Sequence, residues 1–194
     1  MSRLKRLIQE IHRRSLWLLF VVGFGTFMLT RRSELFPTLP VAIVLAPIFI
    51  LRLSRNLPAR RAMVVTVLGF VLSMNVSLWG LFDLSGGMQA LAFNLARGTG
   101  LALLYATPNL IDRIIFPRAG NGFGATLVFP VAVTAVLFLA SLEGPFDGTV
   151  AKTIYATGPL ALLQLYSITG LWGFVFLWSW PAALVDRAWN PGFD

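Results

Sequence analysis

Charged residues fall in short clusters that separate long apolar runs, and this pattern constrains the fold more than any other feature of the chain. Arg13 and Arg14 precede the apolar run 16–30, and Arg60 and Arg61 precede the run 62–82. Charged residues make up only 12% of the 194 residues, against about 25% in soluble domains. Together with the absence of Cys, the pattern excludes a disordered chain and a secreted disulfide scaffold, and it predicts a membrane protein.

The apolar runs predict an all-α, polytopic bundle of about six transmembrane helices that forms a single domain, 1–194. The predicted spans are 16–30, 37–51, 62–82, 88–116, 123–142 and 169–189. The stretch 159–168 is predicted as a separate helix or a re-entrant piece. A cleaved signal peptide is the alternative interpretation of residues 1–30, but 27–32 lacks a small-x-small cleavage pattern.

Lys and Arg are distributed unevenly between the two sides of the predicted bundle. Twelve of them lie on the side of the N-terminus, the second and fourth loops and the C-terminus, against three on the other side. Because cytoplasmic loops are rich in Lys and Arg, both termini are predicted to be cytoplasmic. The positions of the basic residues are explained by the orientation of the spans and by contact with anionic lipid headgroups. No nucleic-acid partner is therefore predicted.

No residue pattern predicts a catalytic site, a metal site or a cofactor. The absence of Cys excludes a thiol nucleophile and a thiolate zinc site, and the single His12 lies among basic residues. The glycine-rich stretch 120–124 has neither a preceding strand nor a following Lys-Ser/Thr, so it is interpreted as a turn. Asp83, Glu143 and Asp147 are interpreted as solvated loop charges.

Arg97 is the residue that most requires a physical explanation, since an arginine among apolar neighbours is costly without a partner. Asn94 lies three residues earlier on the same helical face. Arg97 is predicted either to contact a lipid phosphate or a substrate headgroup, or to form an internal structural pair. Two further residues are candidates for contact with lipid or substrate, namely Gln164 and Trp172.

Three segments of the second half carry a family resemblance: TLVFPVAV at 126–133, GPFDGT at 144–149 and QLYSITGLWGFVFL at 164–177. They resemble the membrane region of apolipoprotein N-acyltransferases and related nitrilase-fused membrane proteins. The resemblance covers about 16–189, and only 164–177 is specific. The resemblance implies a location in a bacterial inner membrane and a membrane half that holds phospholipid and lipoprotein chains for a nitrilase-type active site.

This chain departs from that family in the parts that carry out its chemistry. The resemblance stops after the sixth span, without a seventh span or the nitrilase domain that holds the Glu-Lys-Cys triad. Leu137-Phe138-Leu139 stands where many members have Glu-Phe-Leu. The chain is therefore not expected to catalyse acyl transfer alone: a separate nitrilase-like protein or lipoprotein would be its partner, or it is an inactive truncated relative. The alternative is a small integral-membrane transporter or lipid-binding scaffold.

Overall fold

The computed structural model describes residues 3–30, 39–79, 87–120, 122–143 and 160–189. These ranges form helices without any β-strand, so the all-α prediction is confirmed for this part of the chain. The α-helices are α1 (Arg3–Met28), α2 (Ala42–Asn56), α3 (Ala59–Ser77), α4 (Gly87–Ile115), α5 (Gly124–Glu143) and α6 (Leu160–Trp189), with a 3-10 turn at Phe116–Arg118.

Three of the described helices are long and apolar enough to cross a membrane, not the six that were predicted. They are α3, α5 and the 164–189 part of α6. The apolar part of α1, Ser15–Met28, is shorter. α2 has only 15 residues, whereas α4 has 29 but carries Arg97, Asp112 and Arg113.

Consecutive helices pack side by side and run in alternate directions. The Leu39 N–H before α2 donates to the carbonyl of Leu29 after α1 (2.8 Å), and α3 begins three residues after α2 ends. Asn75 near the end of α3 lies beside Thr99 in the first half of α4 (3.5 Å). Thr126 at the start of α5 accepts a hydrogen bond from Trp180 in the second half of α6 (3.4 Å). One end of the bundle therefore collects the C-termini of α2, α4 and α6 with the N-termini of α3 and α5.

Two apolar clusters form the core, and α2 contributes to both. In the first cluster, aromatic rings from α1 and α3 meet edge to face, with Phe70 centred 5.3 Å from Phe24 and 4.9 Å from Phe27. The second cluster joins α2, α5 and α6 through the buried side chains of Leu51 and Val175, among others. Sharing α2 between both clusters makes the bundle one packed unit.

Local geometry favours glycine at several described positions, among them Gly98 and Gly170. A Cβ at Gly98 would collide with the Asn75 side chain, so the glycine lets α3 and α4 approach closely. Gly170 interrupts α6 with φ 68° and ψ 178°, a conformation open mainly to glycine. The break lies next to 169, where the sequence predicted the last span to begin.

Candidate functional site

Three helices are joined at one end of the bundle by a buried ion cluster, the Arg55 cluster, formed by Arg55, Asp112 and Asp186. The guanidinium of Arg55 donates two hydrogen bonds to Asp112, from Nε to Oδ2 (3.0 Å) and from Nη2 to Oδ1 (2.8 Å). Its Nη1 donates to Asp186 Oδ2 (2.8 Å). The three side chains are 6%, 0% and 1% exposed. The cluster therefore connects the last turns of α2, α4 and α6.

Aromatic rings and further arginines surround this cluster. The Arg55 guanidinium lies 3.5 Å from the centre of the Phe116 ring, in the turn that follows α4. Arg52 stacks over Trp189 at 4.6 Å, and its Nη1 lies 3.7 Å from Asp186 Oδ1. Cations over aromatic faces are attracted by the ring quadrupole, most strongly where water is excluded. The rings therefore stabilise an end of the bundle that holds several positive charges.

The charge state of Arg55 follows from its surroundings. Two carboxylates, those of Asp112 and Asp186, accept its hydrogen bonds and so favour the charged form of the guanidinium. Arg55 therefore stays protonated at any physiological pH. A permanent cation between two buried carboxylates therefore holds the ends of α2, α4 and α6 together.

An apolar groove, the outer groove, opens beside the cluster between α1, α2 and the end of α6. Its volume is about 400 Å³. Its apolar walls are formed by Leu16, Leu18, Leu19, Val22, Phe49 and Trp189, and its polar residues are Ser15, Arg52 and Asn56. Arg52 Nη1 donates no hydrogen bond to any group in the described ranges. A cationic side chain therefore borders a mainly apolar groove.

The four residues predicted as lipid or substrate contacts lie on two helices. Arg97 and Asn94 are half-buried on α4, and Arg97 is engaged in an interaction. Gln164 is exposed near the start of α6, and Trp172 is half-buried and meets Phe138 of α5 edge to face (5.2 Å). None of these four residues lines the outer groove. Their roles in binding remain predictions.

The Arg55 cluster was not predicted from the sequence, in which Arg55, Asp112 and Asp186 were given no role in a site. Each carboxylate follows a long apolar stretch, and an acidic residue in such a place requires a cation. The position of these carboxylates indicates that each is paired with a cation, but it does not identify which Arg or Lys is the partner. No metal-binding group of His, Cys, Asp or Glu occurs within the described ranges.

Comparison with known proteins does not identify a family. No protein-family model, no curated protein and no solved structure matches the chain. The resemblance to apolipoprotein N-acyltransferases therefore stays a prediction from sequence. What the fold defines is an all-helical bundle with three helices suited to cross a membrane.

Proposed function

We propose that this chain is a six-span membrane protein that holds an anionic phospholipid at its cytoplasmic end. The direction of the helices supports six spans. α3 and α5 both begin at the end of the bundle that holds the Arg55 cluster. If both cross the membrane, α4 must carry the chain back between them, and its 29 residues are long enough to do so. α2 runs toward the same end as α4, and α1 runs the other way.

The distribution of charge supports a cytoplasmic Arg55 cluster. The exposed arginines at this end include Arg60, Arg61 and Arg118, whereas Asp112 and Asp186 are buried and paired. The described surface at this end is therefore strongly basic. Basic segments next to a span favour the cytoplasmic side and attract anionic lipids, at about 1 kcal/mol for each Lys or Arg near the surface.

The observation that carries the proposal is the outer groove, which combines the two chemistries of a phospholipid. Its leucine and phenylalanine walls match an acyl chain, and Arg52 supplies positive charge at the basic end. A guanidinium binds phosphate with two parallel hydrogen bonds. Its stacking on Trp189 holds it in place before the lipid arrives. Asn56, which is exposed, adds a polar group beside it.

Native mass spectrometry of the protein with bound lipid tests this proposal. Protein would be exchanged into micelles containing equal amounts of phosphatidylglycerol and phosphatidylethanolamine, as the wild type and as Arg52→Gln. We expect Arg52→Gln to bind about fivefold less phosphatidylglycerol, which corresponds to the loss of one basic contact. Phosphatidylethanolamine binding should change little.

The matched control is Arg61→Gln, which removes an exposed arginine at the same end but outside the outer groove. Its phosphatidylglycerol binding should stay close to that of the wild type. Equal binding by the wild type and Arg52→Gln, or an equal loss in both variants, would refute a lipid site at Arg52.

A role as the membrane half of an acyltransferase-like assembly is the more specific form of this proposal. It is supported by the sequence resemblance at 164–177 and by the phospholipid chemistry of the outer groove. The active site would then come from a separate nitrilase-like protein. Co-purification of such a protein, when it is expressed with this chain, would support the assembly, and its absence would favour a lipid-binding scaffold.

A further inference from the structure

Arg52 and Arg55 lie three residues apart on one side of α2, and both approach the carboxylate of Asp186. Arg55 Nη1 donates to Asp186 Oδ2 at 2.8 Å, whereas Arg52 Nη1 lies 3.7 Å from Asp186 Oδ1. The first contact is a hydrogen bond, and the second is too long to be one. One buried carboxylate therefore connects the Arg55 cluster with the arginine that borders the outer groove.

The side chain of Arg52 is divided between Asp186 and the outer groove. Its Nη1, the atom nearest to Asp186, is buried. The side chain as a whole is nonetheless 21% exposed, so its exposed part consists of other atoms, and Arg52 belongs to the groove wall. Asp186 is only 1% exposed and is not part of that wall. A ligand in the groove can therefore contact Arg52 but not Asp186.

A lipid phosphate at Arg52 would share one guanidinium with the carboxylate of Asp186. The phosphate would approach from the groove while the carboxylate lies on the buried side, and two anions on one cation repel each other, most strongly where water is excluded. Arg55 limits this competition, because its hydrogen bond occupies one oxygen of Asp186 and its charge offsets that of the carboxylate. The charges of Asp186 and Arg55 therefore determine how strongly Arg52 attracts a phosphate.

We propose that Asp186 and Arg55 set the affinity of the outer groove for an anionic lipid by acting through Arg52. Asp186 weakens the binding, and Arg55 limits that effect by pairing with Asp186. This inference rests on the proposed lipid site at Arg52. Neither Asp186 nor Arg55 lines the groove, so both are positioning residues. Because coupling is reciprocal, a lipid that binds Arg52 also weakens the contact of Arg52 with Asp186.

Phosphatidylglycerol binding, measured by native mass spectrometry in the same mixed micelles, tests the direction of both effects. Asp186→Asn keeps an oxygen that can accept from Arg55 but removes the charge beside Arg52, so binding should rise about threefold, as for the loss of a partly exposed ion pair. Arg55→Met leaves the Asp186 charge to Arg52 and should lower binding about threefold. Both variants alter the same hydrogen bond, so a purely structural role would lower binding in both. Unchanged or lower binding by Asp186→Asn would overturn the proposal.

The matched control is Asp112→Asn, which removes the same charge from the same cluster. Both oxygens of Asp112 accept hydrogen bonds from Arg55, so this variant should raise phosphatidylglycerol binding less than Asp186→Asn does. An equal rise in the two variants would indicate a general electrostatic effect and would overturn the proposal. This comparison decides the matter even if Arg55→Met is too unstable to purify.

A double variant tests whether the effect passes through Arg52. Arg52→Gln combined with Asp186→Asn should bind phosphatidylglycerol as weakly as Arg52→Gln alone, because the cation that Asp186 acts on is absent. A rise that persists in the double variant would contradict the coupling while leaving the lipid site in place. Binding by Arg52→Gln alone at the wild-type level would instead refute the lipid site on which the coupling rests.

Discussion

Replacing Arg55 by methionine removes the cation that joins α2, α4 and α6, and it tests how far the bundle depends on that contact. The substitution preserves most of the aliphatic volume but deletes three charge-assisted hydrogen bonds of 2.8–3.0 Å. Asp112, which is fully buried, then loses the cation to which it is hydrogen-bonded. Asp186 still has Arg52 at 3.7 Å, so it loses less of its favourable electrostatic interaction than Asp112 does.

The expected cost follows from the burial of the carboxylates. Removing one partner of a buried ion pair destabilises a protein by about 3–5 kcal/mol, because the remaining charge is left uncompensated. For a chain of this length each kcal/mol corresponds to about 2–4 °C in Tm. We therefore expect Arg55→Met to lower the Tm by about 6–20 °C.

The assay is thermal unfolding of the purified protein in one detergent, with two comparison variants. Arg60→Met removes an exposed arginine at the same end and should change the Tm by no more than about 2 °C. Arg55→Met combined with Asp112→Leu and Asp186→Leu removes all three charges and should recover much of the loss. If Arg55→Met and Arg60→Met unfold at the same temperature, the Arg55 cluster does not stabilise the bundle.

Two further substitutions test contacts on α4. Gly98→Leu would force the Asn75 side chain away and separate α3 from α4, so the free energy of unfolding should fall by about 1–3 kcal/mol, measured by denaturation in detergent; an unchanged stability would mean that the two helices do not need this close approach. If Arg97 holds a lipid phosphate, Arg97→Leu should reduce co-purified anionic lipid and Arg97→Lys should retain part of it, measured by lipid mass spectrometry. Unchanged lipid together with an unchanged Tm would contradict both predicted roles of Arg97.

The helical character could be predicted from sequence because it depends on local composition. Long apolar runs between charge clusters placed α4 at 88–116, and the helix lies at Gly87–Ile115. The predicted span 16–30 corresponds to the apolar part of α1, Ser15–Met28. The helix itself continues back to Arg3, because Arg, Lys, Leu and Glu in the preceding basic segment are good helix formers.

The Arg55 cluster could not be predicted with the same rules because its members are far apart in sequence. Arg55 and Asp112 are 57 residues apart, and Arg55 and Asp186 are 131 apart. The count of basic residues placed the ends of α2, α4 and α6 on the same side of the membrane. This placement agrees with the contacts of Arg55 with Asp112 and Asp186. Which carboxylate meets which arginine depends on the rotation of each helix about its axis, and the weakly periodic apolar patterns of α4 and α6 do not fix that rotation.

Cysteine accessibility in intact cells tests the central claim, a membrane-spanning bundle whose Arg55 cluster faces the cytoplasm. The chain has no Cys, so single replacements report one position each. Leu39→Cys and Ala59→Cys occupy exposed positions before α2 and at the start of α3, on opposite ends of α2. A membrane-impermeant maleimide should label Leu39→Cys in intact spheroplasts and Ala59→Cys only after permeabilisation. Labelling of both positions before permeabilisation, or of Ala59→Cys alone, would contradict the proposed topology.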